Sequence, residues 1–152
     1  MTHPEEALAE LGLAVPEVAK PVAVYIPAIR TGNLVMTSGQ IPVRDGVPIA
    51  TGKLGAEVSL ETGVEAAQQC TLNAIAAVKA EIGDLALVKR VVKVVAFVAS
   101  APDFTGQPQV ANGASELLGK VFGEKGIHAR SAVGVSVLPL DVPVEVEITV
   151  EV

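Results

Sequence analysis

Aromatic side chains are scarce in this chain: Tyr25, three phenylalanines and no tryptophan make up 3% of 152 residues, although 50% are hydrophobic. The core must therefore be built from closely packed Val, Ala, Leu and Ile. A surface that stacks bases has little to be made from. Cysteine is nearly absent too. Cys70 alone excludes an internal disulfide framework, fits a reducing compartment, and leaves no Cys/His cluster with metal-ligand spacing, so no metal site is expected. Positive charge is in deficit, with 11 Lys and Arg against 17 Asp and Glu, a net −6. That balance argues against gripping nucleic acid, an affinity that comes mostly from neutralising phosphates. No apolar run reaches about 18 residues, and MTHPEE is neither basic nor apolar as a secretory leader would be. Neither a membrane span nor secretion is indicated, and the cytoplasm is the expected location.

A chain of this length can bury a sizeable core as one domain, so residues 1–152 read as a single domain and residues 1–21 as an N-terminal extension. Pro4 to Leu13 has a short helical pattern. Val22 to Ile29 reads as a strand, returned by Thr31-Gly32-Asn33 as a second strand, Leu34 to Ser38. Asp45-Gly46 turns a smaller pair, where Pro48 favours an edge. Ser59 is a good N-cap for a helix whose apolar residues Val64, Ala67, Thr71, Ile75, Val78 and Ile82 recur at three and four, with Gly83 as its stop. Arg90 to Ser100 is apolar and β-branched, the pattern of a strand buried on both faces. Pro108 to Phe122 is the second main helix. The order predicts an α+β fold, with both helices on one face of a mixed sheet.

Arg130 to Val152 alternates strictly and reads as two strands joined through Leu138 to Pro143, forming an antiparallel hairpin. In the first strand Arg130, Ala132, Gly134 and Ser136 share one face, and Val133, Val135 and Val137 the other. The valines call for a core, so Arg130 is expected on the face turned away from it. In the second strand Val144, Val146, Ile148 and Val150 oppose Glu145, Glu147, Thr149 and Glu151. Hairpin register would put Arg130 and Glu145 on one face but about 20 Å apart at about 3.3 Å per residue. A site using both would then need a second copy of the chain.

ARSAVGVSVLPLDVPVEVE resembles the C-terminal signature of the YjgF/RidA family, and TGNLVMTSGQIP resembles its N-terminal hairpin, with FVASAPDF and VANGAS in the same order between them. The resemblance implies a chorismate-mutase-like sheet, a homotrimer, and ligand clefts at subunit interfaces. It implies hydrolysis of small carboxylate-bearing imines or enamines, such as 2-aminoacrylate, to 2-keto acids and ammonia, without metal or cofactor. Position by position, Arg130 matches the substrate arginine and Glu145 the water-positioning glutamate. Tyr25, Ser38, Gly39 and Asn112 match the remaining substrate-binding positions. Ala132 and Gly134 depart from the family, which often has a hydroxyl or thiol residue and a charged residue there.

Each residue also has a plainer role open to it. Arg130 could form an interface ion pair, and Glu145 could belong to a solvated acidic face with Glu147 and Glu151. Tyr25 could plug a subunit contact, Ser38 and Asn112 could serve a turn and a helix end, and His128 could be a loop histidine. Besides an imine deaminase, the residues allow a non-catalytic sensor of small carboxylates. An endoribonuclease or translation inhibitor, a label the family carries, fits the acidic balance least.

Overall fold

The computed structural model describes residues 2–20 and 23–152. Helix α1 (Pro4–Glu10) is capped by His3, whose ring accepts the Glu5 N–H. Strands β1 (Ala28–Thr31) and β2 (Leu34–Thr37) form a hairpin turned at Gly32, where φ is 57°. The small pair β3 (Val43–Arg44) and β4 (Val47–Pro48) turns at Asp45-Gly46, both in the left-handed region. Helix α2 (Leu60–Ile82) starts where the Ser59 hydroxyl accepts the Thr62 N–H and stops at Gly83. There follow β5 (Arg90–Ala99), α3 (Gln107–Phe122), β6 (Ala129–Val135) and β7 (Val144–Glu151).

Five strands make one mixed sheet in the order β1-β2-β7-β5-β6. All neighbours are antiparallel except β5 and β6, which run parallel and so need a crossover, supplied by α3. The expected α+β arrangement is observed, with α2 and α3 on one face of the sheet and the short α1 packed outside α3.

Four expectations need correction. The first strand starts at Ala28 rather than Val22: Val22 lies outside the described residues, and Pro27, which has no N–H to donate, precedes the ladder. The last two strands are not a hairpin, because β5 lies between them. Residues 136–143 are long enough to pass over the end of β5, and they do so through a 3-10 turn with Leu140 and Asp141 at positive φ. The faces of β6 are reversed. Arg130 pairs with Val94, Ala132 with Ala96 and Gly134 with Val98, and these β5 residues are all buried beneath the helices, so Arg130 points to the helix side. Finally, β5 is covered on one face only. Val91, Val94, Ala96 and Val98 are buried, while Val95 and Phe97 are half-buried on the open face.

The shortage of aromatics is met by close approach. Ala66 and Ala67 of α2 and Ala111 and Ala114 of α3 are fully buried, and a Cβ at Gly113 would lie 2.2 Å from the Val64 carbonyl oxygen. Only glycine lets the two backbones meet there. Beneath them, Val144, Val146, Ile148 and Val150 of β7 fill the sheet side of the core. Each fully buried Val or Leu contributes about 1.5–3 kcal/mol. On the other face Ile29, Met36 and Val133 are exposed beside the half-buried Glu145, Glu147 and Thr149. No helix among the described residues is long and apolar enough to cross a membrane.

Candidate active site

The six candidate residues fall into two groups. The first is built on β6 and α3. Asn112 and Ser115 stand three apart on α3 and therefore share a face of the helix, which lies over β6. Arg130 Nη1 donates to Asn112 Oδ1 at 2.8 Å and to Ser115 Oγ at 3.2 Å. Its Nε and Nη2 have no protein partner among the described residues, so one edge of the planar fork is free. That edge has the geometry to hold a carboxylate through two parallel hydrogen bonds. The small residues beside Arg130 have a packing reason: Ala132 lies against the core, and a Cβ at Gly134 would come within 2.8 Å of Gln107 Nε2.

The second group is built on β7 and the segment after β2. Glu145 projects from the open face of the sheet, and its carboxylate rests over the backbone of Gly39, where a Cβ would lie 2.7 Å from Oε1. Gly39 is exposed, and its N–H meets no backbone carbonyl among the described residues. Burial raises the Glu145 carboxyl above the ordinary glutamate value, and the Glu147 charge on the same face adds to it. Ser38 acts as a tether. Its hydroxyl donates to the Ile26 carbonyl at 2.6 Å and its N–H to the Pro27 carbonyl at 2.7 Å, which fixes the segment carrying the exposed Tyr25.

The two groups do not meet within one chain. Arg130 pairs with Val94 and Glu145 with Phe97, three residues further along β5. Two strand spacings and three residues separate them by about 10 Å across the sheet and about 10 Å along it. They also lie on opposite faces, which replaces the expected separation of about 20 Å on one face.

Two further residues complete the Arg130 group, and they were not among the candidates. Ser115 was legible from its three-residue spacing to Asn112. His128 precedes Arg130 by two, and its ring joins Ser115 Oγ at 2.9 Å and the Gly126 carbonyl at 2.6 Å. Cys70 is fully buried, with desolvation pushing its thiol well up, and its Sγ contacts the Val144 carbonyl at 3.4 Å. It is a packing residue. Among the described residues no group of three or more His, Cys, Asp or Glu side chains is placed to hold a metal ion.

The family model described as "YjgF/chorismate mutase-like, putative endoribonuclease" matches residues 5–152. Protein TCP17 of Trypanosoma cruzi is 46% identical over 145 residues, covering 95% of this chain and 91% of that protein. The crystal structure of Atu1372 from Agrobacterium tumefaciens, a protein of unknown function, is similar at TM-score 0.93 and 43% identity, covering 98% of this chain and 92% of that one. A Shewanella oneidensis MR-1 protein given the same endoribonuclease label reaches TM-score 0.96 at 34% identity, covering 99% of this chain and 100% of its own.

Proposed function

We propose, from the premise that this chain belongs to the YjgF/chorismate mutase-like family, that it hydrolyses small 2-imino acids and their enamine tautomers at clefts between the copies of a homotrimer. One observation carries the reading: a guanidinium with a free edge and a carboxylate of raised pKa sit on opposite faces of one sheet, each incomplete alone. The apolar, half-covered face formed by Val95, Phe97, Val133 and Met36 is a surface suited to burial against a neighbouring copy.

In this reading Arg130 of one copy holds the substrate carboxylate, and Glu145 of the next faces the imine carbon. An enamine first gains a proton at C3, and an imine one at nitrogen, so that both enter as the iminium. Glu145 takes a proton from water as the water oxygen bonds to C2, giving a 2-amino-2-hydroxy acid. The carboxylic acid so formed returns that proton to the nitrogen as the C2–N bond breaks. The hydroxyl proton is then lost, and a 2-keto acid and ammonia leave. A raised pKa suits a group that must both accept and return a proton, work that typically supplies about 10² to 10⁴ in rate. The Gly39 N–H is free to hold a polar atom of the substrate.

The test generates 2-aminoacrylate enzymatically and follows 2-keto acid and ammonia release. Acceleration over buffer that is lost in Arg130→Ala and in Glu145→Gln is expected. A trimeric protein with no acceleration would defeat the reading in favour of non-catalytic carboxylate binding, which needs Arg130 alone. Cleavage of RNA that persists through repeated purification would instead favour the endoribonuclease label.

A further inference from the structure

Arg130 is held by more than its direct neighbours, and the hydrogen bonds behind it have a definite polarity. The Gly126 carbonyl can only accept, so its 2.6 Å contact places the His128 ring proton on Nδ1. In the Nδ1–H tautomer Nε2 carries a lone pair, and the Ser115 hydroxyl, 2.9 Å away, donates to it. With its proton directed at His128, Ser115 Oγ offers lone pairs to Arg130 Nη1. Asn112 Oδ1 takes the second Nη1 hydrogen. Both hydrogens of Nη1 are thus engaged, and the three N–H groups left on the fork lie on Nε and Nη2. The anchor of this chain is itself fixed: a Cβ at Gly126 would lie 2.3 Å from the Leu118 carbonyl, so the turn is pressed onto the same helix that carries Asn112 and Ser115.

We infer that Ser115 and His128 are positioning residues that hold Nη1 of Arg130 against α3 and leave the Nε–Nη2 edge as the anion-binding edge, so that the site takes one planar carboxylate side-on. The inference rests on the reading of Arg130 as the carboxylate holder. Without a lone pair at His128, the Ser115 proton can turn toward Nη1, donor would face donor, and the fork would lose its fixed direction.

The experiment compares Ser115→Ala, His128→Asn, His128→Gln and Arg130→Ala, all first checked for thermal stability. It measures KM and kcat for 2-imino acid hydrolysis and, separately, pyruvate affinity by calorimetric titration. The asparagine amide can keep the bond to Gly126 but leaves Ser115 without an acceptor, whereas the glutamine oxygen reaches toward the position of Nε2. Ser115→Ala and His128→Asn should raise KM and the pyruvate Kd about tenfold, a loss of about 1.4 kcal/mol, with kcat within about twofold. His128→Gln should stay within about threefold of wild type in both quantities, a smaller loss on the same scale. Unchanged KM and Kd in Ser115→Ala and His128→Asn, with binding abolished in Arg130→Ala, would overturn the inference and leave the reading of Arg130 standing. So would equal losses in the Asn and Gln variants, or a fall in kcat in place of the rise in KM. If Arg130→Ala binds pyruvate and turns over as wild type does, the reading fails first and the inference with it.

Discussion

Arg130 and Glu145 lie on opposite faces of the same sheet, on strands separated by β5. A single chain cannot bring them to one small molecule, so their cooperation requires a neighbour. Arg130→Ala and Glu145→Gln should each be inactive alone, yet co-expressed chains should assemble clefts in which one copy supplies the intact arginine and the next the intact glutamate. Random mixing in a cyclic trimer would leave roughly a quarter of the clefts whole. Activity near that fraction of wild type in the mixed preparation is expected. Mixed oligomers as inactive as either parent would show that the two residues do not share a site.

Gly39→Ala separates the position of the Glu145 carboxylate from its presence. A Cβ would lie 2.7 Å from Oε1, and the carboxylate, at the end of a flexible chain, can move aside without disturbing the sheet. Since the site is exposed, the stability change should stay within about 0.5 kcal/mol. In the imine assay kcat should fall by about tenfold or more, because acid–base work depends on a placed group. A variant with wild-type kcat would mean that the carboxylate acts from another position.

Acid dependence follows from the environment of Glu145. Its carboxyl lies above the ordinary glutamate value because of burial first and the Glu147 charge second. The neutral form is therefore favoured by the fold: its contribution to stability is full below the ordinary value and is lost as pH rises through the raised one. Glu145→Gln, neutral throughout, should melt higher than wild type at about pH 8 and alike at about pH 4. If Glu145 is the base of the proposed hydrolysis, activity should fall on acidification before an ordinary glutamate would protonate. Glu147→Gln removes the like charge and should move that acidic limb of kcat/KM to lower pH. A limb that stays in place would assign it to another group.

Local signals were legible and long-range pairing was not. Ser59 and Gly83 mark the ends of α2 through hydrogen bonds and a backbone conformation that each residue supplies itself. The chorismate-mutase-like fold was likewise readable from separated motifs. The order of β6, β5 and β7 depends on which strand the apolar Arg90–Ala99 segment invades, and nothing in the alternation of the last two strands encodes an intruder. The clue lay in the connection 136–143, longer than a tight hairpin needs. Facing followed the same way. The valines of β6 look like a core face, but it is Ala132 that packs against the core and Gly134 that lies beneath the Gln107 and Ser100 side chains.

The contact between α2 and α3 should tolerate no side chain at Gly113. A methyl group there would meet the Val64 carbonyl at 2.2 Å, and main chain on both sides prevents local relief. Gly113→Ala should cost about 1–3 kcal/mol, the range for an overpacked core, despite the better helix propensity of alanine. Denaturant melts measure this directly. A variant as stable as wild type would show that the helices can separate freely. Because Asn112 precedes Gly113, the same shift should also weaken pyruvate binding at Arg130.

The N-terminal helix is fastened by packing more than by charge. Leu8 is completely buried in the main core, whereas the His3–Asp84 and Glu5–Lys79 pairs lie at the surface. Exposed pairs contribute about 0–1 kcal/mol each, while emptying a buried leucine site costs about 2–5 kcal/mol. Leu8→Ala should therefore destabilise the protein several times more than Asp84→Asn. Raising salt should reduce the effect of the second substitution and leave the first unchanged. Equal effects in urea melts would mean that α1 is held electrostatically. Loss of imine hydrolysis in Leu8→Ala at a temperature where it remains folded would instead tie the helix to the site through α3, on which α1 packs.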